Sequence, residues 1–390
     1  ISATRAFVDD GASSVAGDVE LDADPQVEAA ATVDSIDGAG LVSVSITDIV
    51  AEAKHDTEAF VGENASLTLS GMLDASAVAV TSATPTTDTT QASGLFSLGA
   101  TDLVTTVASD TAVFIGEGAN VTATSVRLNA DATHTAEGAS TSTSAGAIGI
   151  TSLDVQARDF GSVEVRIGAA DGDPSQNGTT IVTTAGGIDA DADLTTDVRS
   201  TSDAESFGLV AVGNTKSIAL NEAAAIGRIG GNADITSASG FDMQARLIGD
   251  AVAAAASTSA AGVDVSNASG SADFNAAVDF TTGESGSIAA QQSVNLVGLL
   301  NHDGTDFIRA NEGAGRGAIA TANRASGGVV TVGSASVDAT SNSSLNVSVG
   351  RGLSLTSAQG DINVSGRHTN ESFGATSSAS GGVVKVSSSS

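Results

Sequence analysis

AFVDDGASSV, starting at Ala6, returns as AFVGENASLT at Ala59 and again as VFIGEGANVT at Val113, which spaces Phe7, Phe60 and Phe114 by 53 and 54 residues. Looser versions follow as VEVRIGAADG at Val163, AIGRIGGNAD at Ala225, DFTTGESGSI at Asp279 and NVSVGRGLSL at Asn346. Recurrence at a fixed period of this size is the mark of a repeat architecture and has to be read before any secondary structure. The chain divides into about seven units of roughly 54 residues.

Working outward from that stretch, each unit carries two further elements. One lies some twelve residues on, as VELDAD at Val19, VRLNAD at Val126 or FDMQAR at Phe241. The other closes the unit, as GLVSVSITDIV at Gly40, GLFSLGATDLV at Gly94 or GAIGITSLDVQ at Gly146. Apolar residues alternate with polar ones in all of them, as at Val42, Val44 and Ile46 or at Ile148, Ile150 and Leu153. Period two is the pattern of a half-buried strand, and no segment holds a helical period. Glycines in VGEN at Val61 and IGEG at Ile115 mark tight corners, because glycine accepts the positive φ that such corners demand.

Strands repeated in this way bury their apolar faces by stacking unit on unit. The expected fold is all-β: a parallel β-solenoid in which Phe7, Phe60 and Phe114 stack and Val, Ile and Leu form inward ladders, with small Ala, Ser and Thr filling a narrow interior. A wide rung of about 54 residues puts like motifs on like, and seven rungs make a rod of about 34 Å. Three rungs of about 18 residues per unit would stack unlike motifs and give a rod of about 100 Å. The recurrence of Phe favours the wide rung. Disorder, the alternative for a Ser-, Thr- and Gly-rich chain, gives no reason for aliphatic register to persist from unit to unit.

Composition narrows the function. Of 390 residues, 46 are acidic and 15 basic, a net charge of −31, with eleven Phe and no Cys, Trp or Tyr. Disulfides and thiolate metal sites are excluded. Three lysines leave no basic patch for phosphate, so nucleic acid is not an expected partner. No apolar run approaches a transmembrane length. The acidity reads as a solvated face that keeps the chain soluble. The N-terminal ISATRAFVDDGASS has no secretion-signal pattern. Residues 1–390 are therefore expected to be one continuous repeat region from a longer polypeptide, its ends covered by further repeats or identical subunits, because bare strand edges aggregate.

The phrases AFVGENASLT, VFIGEGANVTATSVRLNADA and GAIGITSLDV resemble the repeats of giant bacterial filamentous adhesins, the haemagglutinin-like and leukotoxin-type exoproteins. The resemblance spans the chain and is clearest over residues 1–166. It implies a right-handed parallel β-helix exported to the cell surface or medium, where it acts as a stalk, adhesin or fibre, with a surface glycan as a further candidate partner. Phe or Val stands where the family usually has Tyr, and the family's signals, caps and binding tip are not among these repeats.

Candidate chemistry is sparse. His134, His302 and His368 each follow an aliphatic residue by six positions, so His302 and His368 are candidates for neighbouring rungs, where Asp303 would complete a transition-metal site. An exposed polar ladder is the competing reading. Two longer units carry loops: AADGDPSQNGTT, with Asp171, Asp173 and Asn177, and NHDGTDFIRANEGAGRG, with Asp303, Asp306 and Glu312. Their oxygen ligands suit calcium in type, though neither has EF-hand spacing, and a solvated turn is the simpler reading. No other cofactor is expected. N-x-Ser/Thr sequons such as Asn64, Asn120 and Asn267 are frequent, as the Ser and Thr content alone would produce. A polysaccharide-active β-helix enzyme would gather carboxylates in one groove beside aromatic platforms. Here acidic residues are spread over all units and no Tyr or Trp exists to stack, which disfavours the enzyme, while the variation of the outward residues from unit to unit favours a non-catalytic structural protein over a glycan-, mineral- or calcium-binding module.

Overall fold

Each of the three sequence elements becomes a row of parallel strands. The computed structural model describes residues 2–38, 40–170, 178–303, 305–308 and 317–390. Among them there is no helix, and the strands form three sheets of seven, seventeen and seven strands. The first seven-stranded sheet runs from Ser2–Val8 through His55–Val61, Asp110–Ile115 and Ser162–Ile167 to Ser344–Ser348. The second runs from Ser13–Ala16 through Asn120–Ala123 to Ser354–Ser357.

Like motif pairs with like. Phe7 stands beside Phe60 and Phe60 beside Phe114 in hydrogen-bonded parallel register. The step between paired residues is 53 from Ser2 to His55 and widens to 67 from Ala277 to Ser344, where the longer loop is inserted. A repeat of 18 residues would pair unlike motifs, and no such pairing occurs among the described residues.

Two short strands and a corner carry each unit into the large sheet, where the chain runs out and back. Ser125–Ala145 goes out and Ile148–Asp159 returns; in later units Ile188–Asn221 and Phe241–Phe274 make the same excursion as unbroken strands of 34 residues each, paired along almost their whole length. At the corner between the two short sheets the positive φ falls on Gly118 of IGEG but not on Gly116 or on Gly62 of VGEN, which are glycines instead because the neighbouring unit passes too close for a Cβ, 2.8 Å from Glu63 N at Gly116 and against Asp10 Oδ1 at Gly62. Gly11, Gly118 and Gly352 all have φ between 65° and 85°, and where the sequence lacks glycine the same corner is taken by Asn64 at 55° and Asn232 at 57°. Asparagine is the side chain that best tolerates this region.

The main core lies between the two short sheets and the nearer part of the large one. Its spine is the column Leu73–Val126–Ile188–Phe241–Val294, fully buried and assembled from the second element of successive units. Each such side chain is worth about 1.5–3 kcal/mol on burial, so a column of small and medium residues repeated along the stack replaces the large aromatics of an ordinary core.

One expectation is met, on an unforeseen face, and one needs correction. The Phe ladder forms, with ring centroids 5.2 and 4.6 Å apart and planes within 9°, but it lies on the outer surface, where Phe7 is half exposed and the Arg166 guanidinium caps Phe114 at 4.4 Å. The aliphatic residues of the returning arm also point outward. Val42, Val44, Ile46 and Ile148 are exposed, and only with Leu153, shifted by an odd number of positions, does the apolar side turn inward. The facing surfaces of the two arms are lined instead by small and polar residues such as Ser97, Ser144, Thr151, Ser202 and Ser206, all buried. Their hydroxyls bridge the arms, as Thr151 Oγ1 to Ser144 Oγ at 2.8 Å and Ser217 Oγ to Ser200 Oγ at 2.7 Å. At the base of the excursion, Ile49, Leu103 and Val155 form an apolar plug. Gly138, opposite them, leaves the room they occupy, for a Cβ there would lie 2.7 Å from Leu103 Cδ2.

Candidate functional site

The histidines of the sequence reading do not meet. Register places His368 beside Leu300, two positions before His302. His368 is half-buried, with Nε2 3.0 Å from Ser343 Oγ, and burial lowers its pKa. His302 is buried and packs its ring edge-on against Phe307 at 4.8 Å, in an antiparallel bridge that closes the loop. Asp303 turns its carboxylate onto its own loop, accepting the Thr305 and Asp306 amides at 2.8 and 2.6 Å. Those backbone hydrogen bonds, Asp306 first and then Thr305, lower its pKa. Asp171, Asp173, Asn177 and Glu312 lie outside the described residues. Among the described residues, no three His, Asp or Glu side chains gather as a metal cluster.

A different histidine is the most chemically structured. His134, on the outgoing arm, sets Nδ1 3.2 Å from both carboxylate oxygens of Asp159 at the end of the returning arm, and both side chains are fully buried. Asp159 also accepts the Gly161 amide at 2.9 Å. One unit further on, the equivalent positions hold Thr196 and Asn221, joined by an Nδ2–Oγ1 hydrogen bond of 2.6 Å. The same corner is thus closed by two different polar pairs. The His–Asp combination is one that hydrolytic sites use, but here it is enclosed on every side and its neighbour replaces it with two neutral residues. It ties the outgoing arm to the returning one. In the sequence His134 is marked only by its spacing from Leu128, and its partner 25 residues away carries no motif.

Electrostatics of the outer surface follow from stacking. Every column repeats at the interstrand spacing of about 4.8 Å, so identical charges become close neighbours. One column of the outgoing arm reads Glu20–Asp74–Arg127–Asp189–Asp242, and another sets Asp131 and Asp193 beneath Arg246. Arg246 holds Asp193 through two bonds of 2.8 and 2.9 Å. Between these columns Asp191 is half-buried; burial, and then repulsion from Asp189 and Asp193, push its pKa up to about 7. On the returning arm Asp48, Asp102 and Asp154 form a column ended by Lys216, which reaches Asp154 at 3.2 Å. Asp102 in its middle is raised by burial, then by Asp154 and Asp48. Arginine or lysine thus interrupts acidic columns that would otherwise repel along their length.

No protein-family model, curated protein or solved structure matches the chain. No helix among the described residues is long and apolar enough to cross a membrane.

Proposed function

We propose that this chain is a β-solenoid segment, of about seven wide rungs, from a non-catalytic extracellular filament or filamentous adhesin, and that its task is mechanical. The observation that carries the reading is the register. From Ser2 to Ser389, equivalent residues of successive units pair in parallel, so both the hydrogen bonds and the apolar spine run along one axis. Such a stack transmits load from unit to unit, can be lengthened by adding units, and presents whatever lies at its end at a chosen distance. The filamentous-adhesin resemblance of the repeats supports the same role and a place at the cell surface. The partners that suit it are further repeats of its own kind above and below.

Stretching single chains between their termini tests this. If each rung yields as a unit, extension advances in steps of about 180–230 Å, the extended length of 53–67 residues. A single step releasing the whole chain would contradict a stack of separable rungs. Antibody labelling of intact source cells then tests the surface location.

A further inference from the structure

The returning arm is built inside out. Across all seven strands of that row, the first outward position is Val42, Phe96, Ile148, Val210, Val263, Val330 or Val384, and the second runs from Val44 through Leu98, Ile150 and Val212 to Val386. Every one of these fourteen outward positions is apolar. The residues between them turn inward and are small or polar, among them Ser97, Ala211, Asp264 and Thr331, all buried. A strand with one face in water normally shows the opposite alternation. Beside the columns, the turn at the tip adds Leu41, Leu95, Leu209, Val329 and Val383, of which Leu209, in the middle of the stack, is 72% exposed.

From this arrangement we propose that the apolar face of the returning arm is a lateral interface with a second copy of this chain, the two stacks running antiparallel about a two-fold axis that passes through the middle strand. Area supports it. Each outward residue covers one strand spacing by two residues of rise, so the two columns and the tip present about 450–700 Å². That matches or exceeds the largest apolar patch of an ordinary monomer, about 300–600 Å², and doubled it reaches the lower range of specific protein interfaces, about 1,200 Å². Charge supports it too. At a net −31, two copies repel, yet none of the fourteen column positions is charged, and the nearest acidic column, Asp48–Asp102–Asp154, lies to one side. Shape is the third argument. Both faces are ladders of the same spacing, so the side chains of one copy seat between those of the other, and a two-fold contact makes the surface its own complement. The inference rests on the solenoid reading for its flat, periodic face but adds a partner that end-to-end stacking does not require.

Sedimentation velocity on this chain tests it, at about 100 μM protein in low and high sodium sulfate. A dimer that tightens with salt is expected, since screening removes repulsion while sulfate strengthens apolar burial. The pair Val210→Thr and Val212→Thr keeps β-branched side chains on the strand and should weaken association at least a hundredfold. Val212 lies on the middle strand, near the two-fold, so Val212→Cys, in a chain without native cysteine, should oxidise to a covalent dimer. Val386→Cys at one end should not. A chain that stays monomeric in high sulfate overturns the proposal, as does equal cross-linking of the two cysteine variants. Monomers that bind neutral phosphatidylcholine vesicles would overturn it in favour of a lipid surface. Electron micrographs of the same samples separate the two readings: single rods without pairing refute the interface alone, and particles that are not rods refute the solenoid as well.

Discussion

Gly138 and Leu103 offer a way to ask whether the outgoing and returning arms face each other as described. A Cβ at Gly138 would lie 2.7 Å from Leu103 Cδ2 and 3.1 Å from both Thr105 Oγ1 and Val155 Cγ1. Such overpacking costs about 1–3 kcal/mol, against which the removal of a strand glycine returns about 0.5–1 kcal/mol. Gly138→Ala should therefore destabilise by about 1–2 kcal/mol. Leu103 is fully buried in the plug with Ile49 and Val155, so Leu103→Ala should cost about 2–4 kcal/mol by itself. Together the changes should not add. With Leu103 shortened, the new methyl enters the space it vacates, and the double variant should be no worse than Leu103→Ala alone, an interaction of at least about 1–2 kcal/mol. Urea denaturation of the four proteins measures it. Additivity within about 0.5 kcal/mol would refute the face-to-face packing of the arms.

Other expectations follow from single columns. Native Asp191 holds its proton up to about pH 7, whereas the unfolded chain releases it near 3.8, so stability should fall as pH rises between those values; Asp191→Asn should make that slope shallower, leaving the part due to other raised carboxylates such as Asp102, and, after allowance for solvent screening, stabilise at pH 8 by about 1–2 kcal/mol in the same urea assay. Phe60 stacks on two rings and Phe7 on one, so with each contact worth about 0.5–1.5 kcal/mol Phe60→Ala should cost roughly twice as much as Phe7→Ala; equal losses would argue against the ladder. His134→Thr leaves Asp159 buried without its partner and should cost about 3 kcal/mol, while adding Asp159→Asn recreates the Thr196–Asn221 pair of the next unit and should recover most of the loss; failure to recover would show that the corner demands the His–Asp pair itself. Arg324, buried among Ser266, Ser326 and Ser378 with hydrogen bonds of 2.8–3.4 Å, should lose about 3 kcal/mol on change to Ala, through the cavity and the abandoned acceptors.

The repeat was legible because stacking demands it. A parallel ladder rewards the same residue at the same place in every unit, so Phe7, Phe60 and Phe114 announced their contact, as Leu73, Val126 and Ile188 did theirs. Which face those residues occupy was not legible. Alternation gives two faces of a strand without saying which is wet, and the usual inference that the apolar one is buried failed for Val42, Val44 and Ile148 because the outgoing arm, lined with Ser, Thr and Ala, covers the polar side. Side-chain chemistry was the least visible. His134 and Asp159 meet only because the chain turns back over 25 residues, and nothing in either neighbourhood marks the pairing. His302 and His368 showed a spacing that register then set two positions out of step.

The most direct test of the central claim is the axial rise per unit, read by cryo-electron microscopy of the isolated chain. The wide-rung solenoid predicts a rise of about 4.8 Å for each unit of roughly 54 residues and a rod about 34 Å long. A rise three times as large, in a rod near 100 Å, or a particle without the strand repeat, would contradict it.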